Sequence, residues 1–317
     1  MKSELNILVT GGSGFLGKEL AMKLRSSNEV ILGSRNNGLN RLAAEITGCE
    51  TIPLDITSLD SVKDAVSRYK PEVIIHAAAT KYVDLSETQP FECIDVNILG
   101  SENVARVSID SGVETVIGIS TDKTAAPVGN IYGHTKAIME RLFSGLDGIA
   151  DTSFSCVRFG NIAWSTGSVF PIWKRMMETN NLIETTGPNM RRFFFSVSEA
   201  SDLVIRCLNN QNELKGRILS QKMKSAQVSD LLDVWKAHYG TEWKEVEKRA
   251  GDKEDEYLIG ILENKTTYVK SFDNLEHFVI DFKGISEPYV KEPFSSKEAE
   301  RLSREEMLDL ITSEPKQ

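Results

Sequence analysis

The N-terminal half of the chain alternates short runs rich in β-branched residues with amphipathic stretches of helical length. Each run is apolar on both faces, as strands buried inside a parallel sheet are. This alternation predicts an α/β fold, with a doubly wound parallel sheet of the Rossmann type. The predicted strands cover residues 6–9, 30–33, 51–54, 73–76, 115–119 and 153–158. The predicted helices cover residues 16–26, 40–47, 59–69, 90–111 and 132–144.

The regular alternation stops after Phe159, and polar, turn-rich segments become common. We therefore predict a Rossmann domain over residues 1–159 and a smaller lobe over residues 160–317, with the chain free to cross between them. The smaller lobe is expected to cover the carboxyl edge of the sheet. Its recognisable elements are a Gly-, Ser- and Pro-rich stretch at 160–171, a strand-like run at 192–197, and helices near 198–209, 226–239 and 303–312.

Charge and cysteine content exclude several classes of protein. The 317 residues include 37 Lys or Arg and 46 Asp or Glu, and the net charge of −9 argues against a basic nucleic-acid-binding surface. The four cysteines show no CxxC spacing and no neighbouring His, which argues against a disulfide framework and a zinc site. The first apolar run, at 5–9, is too short for a signal sequence or a membrane span. We expect a cytoplasmic protein with no membrane or nucleic-acid partner.

A glycine-rich turn follows the first predicted strand and reads Gly-Gly-Ser-Gly-Phe-Leu-Gly at residues 11–17. Glycines there permit a tight turn and a close approach to a pyrophosphate, while the amino end of the next helix offers N–H groups. Because ordinary turns also use glycine, it is the position between strand and helix that predicts dinucleotide binding. The predicted cofactor contacts in this turn are Gly11, Gly14, Phe15, Leu16 and Gly17.

The end of the second strand distinguishes between the two nicotinamide dinucleotides. An NAD-binding chain usually places an acidic residue there for the ribose hydroxyls, but this chain has Ser34 and Arg35. An arginine pairs with a 2′-phosphate that a carboxylate would repel, so NADP is the expected cofactor; a solvated loop arginine is the alternative. Further cofactor contacts are expected where the third and fourth strands end, at Asp55, Ile56, Ala77 and Ala78.

Tyr132 and Lys136 lie four residues apart at the start of a predicted helix, so they share one helical face. A lysine ammonium there lowers the pKa of the phenol, and a tyrosinate then accepts an alcohol proton while hydride passes to nicotinamide. The spacing is common by chance, and a solvated helix face would also explain it. Its place after the fifth strand favours alcohol oxidation.

These motifs together resemble the extended short-chain dehydrogenase/reductase superfamily, whose members act mainly on nucleotide sugars. The resemblance rests on residues 11–17, the His-Ala-Ala-Ala turn at 76–79, Asn97, and the Tyr132/Lys136 pair. Within the superfamily, residues 120–127 and 130–136 resemble the UDP-N-acetylglucosamine 4,6-dehydratases, especially the soluble inverting members of pseudaminic acid biosynthesis. The resemblance covers nearly the whole chain. It implies a lyase of surface glycan biosynthesis that binds NADP, with Asn97 beside the cofactor, and a UDP-sugar.

The resemblance also implies a role for each reactive residue. Thr121 would hydrogen-bond O4 of the sugar, Asp122 would protonate O6, and Lys123 would take the C5 proton. Tyr132 would be the base of C4 oxidation and Lys136 would modulate it, so that hydride leaves C4 and returns to C6 with no net redox change. The expected substrate contacts are Lys81 and Asn161, together with three arginines for the diphosphate, Arg158, Arg192 and Arg249.

Two other functions remain open. An NDP-sugar 4-epimerase or 4-ketoreductase uses the Tyr132/Lys136 pair but needs no acid and base after Thr121. A dinucleotide-sensing regulator needs none of these reactive residues. Asp122 and Lys123 would then form only a solvated ion pair on a loop. The helices near 90–111 and 132–148 resemble those that pair across dimers in the superfamily, so we expect a homo-oligomer.

Overall fold

The six strands predicted for the N-terminal half all form, each within two residues of its predicted bounds. The structure, a computed structural model, describes residues 4–247, 253–285 and 287–314. Its strands are β1 (Asn6–Thr10), β2 (Glu29–Ser34), β3 (Glu50–Pro53), β4 (Val73–His76), β5 (Thr115–Thr121), β6 (Ser153–Phe159), β7 (Asn161–Ile162), β8 (Leu182–Thr186), β9 (Arg191–Phe195), β10 (Ile218–Gln221), β11 (Ser225–Gln227), β12 (Glu242–Val246), β13 (Tyr257–Ile259), β14 (Thr267–Phe272), β15 (Leu275–Ile280) and β16 (Phe294–Ser295).

Helices connect the strands of the sheet and form much of the smaller lobe. They are α1 (Phe15–Leu24), α2 (Asn37–Thr47), α3 (Leu59–Tyr69), α4 (Val83–Thr88), α5 (Pro90–Ile94), α6 (Gly100–Asp110), α7 (Ile131–Leu146), α8 (Val169–Asn180), α9 (Val197–Asn209), α10 (Gln211–Leu214), α11 (Val228–Tyr239) and α12 (Arg304–Thr312). Among the helices of the described ranges, none has the length and hydropathy needed to cross a membrane.

The central sheet has nine strands in the order β14-β15-β10-β6-β5-β4-β1-β2-β3. The six strands from β6 to β3 are parallel, which confirms the predicted doubly wound sheet. Strand order reverses between β1 and β4, and in such sheets ligands bind in the crevice at the carboxyl ends beside this reversal. The turns after β1, β2, β4 and β5, where the predicted site residues lie, all open toward that crevice.

Three strands of the sheet come from the second half of the chain. β10 adds parallel to β6, and β15 and β14 follow antiparallel. The sequence analysis missed all three strands. β14 and β15 mix exposed residues with buried ones, and β10 is a run of only four residues. The chain thus crosses back into the sheet beyond residue 159, and the division into two domains stays a prediction.

The helix predicted over residues 90–111 is confirmed over residues 90–110, but it contains a π-helical turn at Asp95–Leu99, between α5 and α6, that the sequence analysis did not predict. The Asn97 amide within the turn accepts from the backbone N–H of Thr80 and donates to its carbonyl, each at 2.9 Å. These two bonds tie the turn to the loop after β4. π-Turns inside helices are frequent at functional sites.

The apolar core has three parts. Two lie on opposite faces of the sheet, one under α1 and α9 and the other under α3, α6 and α7. The third belongs to the smaller lobe and joins α8, α11 and α12. Its centre is a group of aromatic rings with centroids 5.7 to 6.0 Å apart, Trp164, Phe170, Trp173 and Trp235. This third core fixes the loop Gly160–Ser168 over the carboxyl edge of the sheet.

Candidate active site

The glycine-rich turn after β1 is shaped by two close approaches. Gly11 has a φ of +69°, and a Cβ atom on it would lie 2.7 Å from the Ala78 nitrogen. A Cβ on Gly17 would lie 2.5 Å from the Gly12 carbonyl oxygen, so packing requires glycine at both positions. Gly14 differs, because its Cβ would meet only the Gly11 carbonyl oxygen, at 3.0 Å. Among the described residues, no side chain caps the amino end of α1 at Gly14. The turn therefore offers an open face with free N–H groups, as an anion requires.

A buried histidine fixes the neighbouring turn after β4. The His76 ring contacts the Thr10 hydroxyl at 2.8 Å and the Ser101 hydroxyl at 3.0 Å, and the Ala78 N–H donates to Thr10 at 3.2 Å. Burial, followed by the charge of Lys136, lowers the pKa of His76 to about 3, so the ring stays neutral. This arrangement holds Ala77 and Ala78 against Gly11, where the sequence predicted cofactor contacts.

The polar side chains at the ends of β2 and β3 differ in how many hydrogen bonds they make within the protein. The Ser34 hydroxyl is engaged by Ser13 at 2.5 Å and by Asn40 at 2.6 Å. The Asp55 carboxylate accepts from the backbone and side chain of Thr57, at 3.0 and 2.8 Å. Arg35 is half-exposed, and its guanidinium contacts only the Glu92 carboxylate, at 3.8 Å, among the residues described. It is therefore the polar side chain in this region most available to a ligand.

The apolar members of the predicted cofactor set face the interior. Leu16 and Ile56 are buried in the two cores beside the sheet. Phe15 is partly buried against the aromatic core of the smaller lobe. Asn97 is fully buried, and its amide nitrogen also donates to the Thr135 hydroxyl at 3.0 Å, so it connects α7 to the loop after β4.

Helix α7 carries Tyr132 and Lys136 and begins at Asn130, whose side chain accepts from the Gly133 N–H at 2.7 Å. Lys136 is buried, and its ammonium donates to the Met139 sulfur at 3.0 Å. Burial lowers the pKa of Lys136 to about 8. The alternative of a solvated helix face is thus excluded for Lys136, whereas His134 is exposed.

The environment of Tyr132 corrects one expectation. Burial raises the pKa of Tyr132 to about 12. The groups that oppose this rise are the Lys123 charge and a hydrogen bond with Thr121, and not the Lys136 ammonium that the helical spacing predicted. Lys136 donates to the Met139 sulfur, while Lys123 lies on the loop after β5 and its charge acts on Tyr132.

Asp122 and Lys123 follow β5 in a short 3₁₀ turn and form a buried pair. Asp122 is 1 % exposed. Its Oδ1 atom accepts from the Lys123 ammonium at 3.0 Å and from the Thr121 hydroxyl at 3.1 Å. Its Oδ2 atom is buried and has no hydrogen-bond partner among the described residues. A solvated ion pair is therefore excluded, because the pair lies inside the cleft and keeps one acceptor free.

A third ionisable group, Glu256, joins this pair and was not singled out by the sequence analysis. Its Oε1 atom lies 3.9 Å from the Lys123 ammonium, and the residue is 5 % exposed. Burial acts to lower the pKa of Lys123, but the carboxylates of Asp122 and Glu256 outweigh it, so that pKa is raised. Glu256 lies 133 residues after Lys123, within an acidic stretch, and no local sequence pattern indicates that it belongs to the site.

The prediction that Arg158 binds a diphosphate is wrong. Arg158 is fully buried, and its guanidinium donates to the Glu140 carboxylate at 2.9 and 2.7 Å and to the Glu263 carboxylate at 2.7 and 2.8 Å. It also donates to the Leu258 carbonyl at 2.9 Å. All five guanidinium N–H groups are thus occupied by the protein. Glu140 in turn accepts from the Ser120 hydroxyl at 2.6 Å, so this network fixes the end of β5.

The other predicted substrate contacts are spread around the cleft. Lys81 is exposed after β4, and Asn161 is half-buried where β7 pairs with β9. Arg192, on β9, is half-buried, and its charge acts on both Lys123 and Glu256. Arg249 lies outside the described residues.

Comparisons with known proteins agree with this architecture. The profile of a family described as "Polysaccharide biosynthesis protein" matches residues 7–275. An uncharacterized membrane protein of Methanocaldococcus jannaschii is 33% identical, over 96% of this chain and 94% of its own. A UDP-N-acetylglucosamine 4,6-dehydratase (inverting) of Campylobacter jejuni is 30% identical, over 96% of this chain and 97% of its own.

Two further similarities bear on the fold and on the choice of reaction. A UDP-glucose 4-epimerase of Rickettsia bellii is 28% identical, over 96% of this chain and 94% of its own. Among solved structures, Pen from Bacillus thuringiensis has a TM-score of 0.89 and 27% identity, over 98% of this chain and 97% of that chain.

Proposed function

The chain belongs to the polysaccharide biosynthesis protein family, and we propose that it is a nucleotide-sugar 4,6-dehydratase. The proposed substrate is UDP-N-acetylglucosamine, the product a UDP-4-keto-6-deoxy-N-acetylhexosamine, and the cofactor NADP. We also propose that it works as a cytoplasmic homo-oligomer. The observation that carries the proposal is the buried Asp122–Lys123 pair beside Tyr132, with one Asp122 oxygen left unpartnered.

The residues of the crevice fit a nicotinamide dinucleotide. Gly14 leaves the amino end of α1 open for a pyrophosphate. The Lys136 ammonium is buried with a thioether as its acceptor, and thioethers are weak acceptors that ribose hydroxyls would replace. The half-exposed Arg35, whose guanidinium contacts only the Glu92 carboxylate among the described residues, is available for a 2′-phosphate. When bound, the cofactor supplies the hydride acceptor for C4 and the hydride donor for C6.

Tyr132 and Thr121 are proposed to serve the oxidation at C4. The tyrosinate form of Tyr132 takes the proton of the C4 hydroxyl, and Thr121 holds the same oxygen by a hydrogen bond. The raised pKa of Tyr132 makes its phenolate a strong base, and the Lys123 charge and the Thr121 hydrogen bond act against this rise.

Asp122 and Lys123 are proposed to carry the elimination. A proton shift across their 3.0 Å contact converts the ion pair into a free amine and a carboxylic acid. With a ketone at C4, the C5 proton is acidic, and the Lys123 amine takes it. The C5–H electron pair forms the C5–C6 double bond as the C6–O bond breaks, and the Asp122 acid gives its proton to the leaving oxygen, which departs as water. The pair ends as the ion pair from which it began.

A UDP-sugar 4-epimerase is the alternative function, and the Rickettsia bellii relative favours it. Epimerisation needs a base at O4 but no acid or base at C5 and C6. An epimerase would have no catalytic role for the unpartnered Oδ2 atom of Asp122 or for Lys123. A protein that only senses the cofactor would have no catalytic role for Tyr132 either.

The test is turnover of UDP-N-acetylglucosamine in D₂O, with the product read by NMR. We expect a 4-keto, 6-deoxy sugar with deuterium at C5 and with the original C4 hydrogen at C6. Lys123→Ala should still oxidise C4, so that reduced nicotinamide absorbance builds up without water loss. Lys63→Ala, on the exposed face of α3, is the matched control. A product that differs from the substrate only at C4 would identify an epimerase, and normal elimination by Lys123→Ala would remove Lys123 from its role.

A further inference from the structure

Lys123 lies between two buried carboxyl groups, of which the proposed chemistry uses only one. Asp122 holds the ammonium directly, at 3.0 Å, and Glu256 lies at 3.9 Å. Both carboxyl side chains are almost inaccessible to solvent. A buried carboxylate is costly unless it is paired and hydrogen-bonded. No described residue donates a hydrogen bond to the Glu256 carboxylate. The Lys123 ammonium is therefore the nearest group that compensates its negative charge.

The backbone around Glu256 holds the carboxyl group in this place. The Glu256 N–H donates to the Ser296 hydroxyl at 3.1 Å, and the Ser296 N–H donates to the Glu256 carbonyl at 2.8 Å. The next residues form β13, which pairs with β16. A residue fixed from both sides by backbone bonds aims its side chain reproducibly. This rigidity is what a group needs if it is to act on a neighbouring lysine.

The charges around Glu256 and Lys123 act on the pKa of both groups. Burial raises the pKa of Glu256 and the Asp122 charge adds to this, while the charges of Lys123, Arg192 and Lys253 act to lower it. The charges that face Lys123 are Asp122, Glu256 and Arg192. The carboxylates of Asp122 and Glu256 therefore stabilise the protonated form of Lys123, and the Arg192 guanidinium destabilises it.

We propose that Glu256 is a positioning residue for the elimination, which acts through Lys123 by stabilising the ammonium that forms when Lys123 accepts the C5 proton. The inference rests on the proposed function. Only a proton moves in this step, from C5 to the Lys123 nitrogen, and Glu256 remains a carboxylate beside the new charge. Asp122 cannot serve this purpose alone, because it enters the step as the neutral acid and becomes a carboxylate only as its proton passes to the leaving oxygen.

The first arm of the test needs no substrate. The pH dependence of Lys123 acetylation, read by mass spectrometry on the intact folded protein, reports the pKa of Lys123. Removing a carboxylate within about 4 Å lowers a lysine pKa by about one unit or more. We expect that fall in Glu256→Gln, and none in Glu254→Gln, whose exposed carboxylate pairs with Arg191. A Glu256→Gln protein that melts like the wild type but keeps the wild-type Lys123 pKa would overturn the inference.

The second arm measures elimination as the loss of deuterium from C5-deuterated UDP-N-acetylglucosamine in single turnovers. In Glu256→Gln the midpoint of the pH profile should fall by the same amount as the Lys123 pKa, and the plateau at high pH should drop, because a weaker base abstracts the proton more slowly. C4 oxidation should keep its rate, and Glu256→Asp should recover part of the plateau. An equal loss of oxidation and elimination would indicate a merely structural role and overturn the inference. If the wild type releases no C5 deuterium, the proposed function fails, and the acetylation arm still decides whether Glu256 controls Lys123.

Discussion

Replacement of Arg158 by methionine tests whether this arginine holds the fold or the substrate. Methionine fills a similar volume but removes all five N–H donors from a site that is 0 % exposed. The Glu140 and Glu263 carboxylates, now paired at 2.7 Å each, would remain buried without a cation. Breaking a buried pair by removing one partner costs about 3 to 5 kcal/mol. We expect the free energy of unfolding of Arg158→Met to be lower than that of the wild type by this amount.

Urea unfolding, followed by circular dichroism, measures the loss. The triple variant Glu140→Gln, Arg158→Met, Glu263→Gln should recover part of it, because it removes the uncompensated charges along with the guanidinium. Burial acts to raise the pKa of Glu263, but Arg158 overrides this, so the folded pKa lies below the ordinary 4.5. A lowered pKa gives stability that is present above pH 4.5 and is lost as the pH falls through the folded value. The difference between wild type and Arg158→Met should therefore shrink below pH 4.5.

Arg192→Met is the matched control, since Arg192 is a half-buried arginine on the edge of the cleft. It should cost less stability than Arg158→Met, because its guanidinium donates to backbone carbonyls and, among the described residues, to no carboxylate, so no buried charge is left unpaired. It should also weaken UDP binding, measured by calorimetry, more than the loss of Arg158 does in the folded protein. If Arg158→Met instead unfolds within about 1 kcal/mol of the wild type and loses UDP affinity, Arg158 is a substrate ligand and the buried network does not hold the fold.

Two further predictions concern the cofactor and the oxidation step. Arg35→Ala should weaken NADP binding by about tenfold or more and leave NAD binding nearly unchanged, because a charged hydrogen bond to the 2′-phosphate contributes about 1.5 to 3 kcal/mol; fluorescence titration with both dinucleotides measures this, and an equal loss for both would contradict the assignment of NADP. Tyr132→Phe should lower C4 oxidation by about 10²- to 10⁴-fold while UDP-sugar binding survives, since the ring stays and only the proton acceptor is lost; near-normal turnover of this variant would show that Tyr132 is not the base.

The positions of Gly11, Gly14 and Gly17 show why one part of the site could be predicted from sequence. The turn, the strand before it and the helix after it are all within a few residues, and their conformations follow from local rules about glycine and helix ends. The same holds for the Asn130 cap that starts α7 with Tyr132 in its first turn. Local signals of this kind place a residue on an element and at the edge of a sheet.

Arg158 shows where such reasoning fails. An arginine at the end of a strand near the cleft looks like a ligand for phosphate, and only its partners decide otherwise. Those partners, Glu140 and Glu263, lie 18 and 105 residues away in sequence. The π-turn at Asp95–Leu99, inside the helix predicted over 90–111, was missed for a similar reason, because it goes with bonds from Asn97 to a loop 17 residues earlier.

The sequence alone determined the parallel sheet, its first six strands, and the turn after the fifth strand that carries Thr121, Asp122 and Lys123. It could do so because burial on both faces of a strand and the conformational freedom of glycine are properties of short segments. Only the tertiary structure decided that the Lys123 charge opposes the rise in the pKa of Tyr132, that Glu256 joins Lys123, and that Arg158 is buried. These outcomes depend on desolvation and on charges brought together from distant parts of the chain, and no local pattern encodes either.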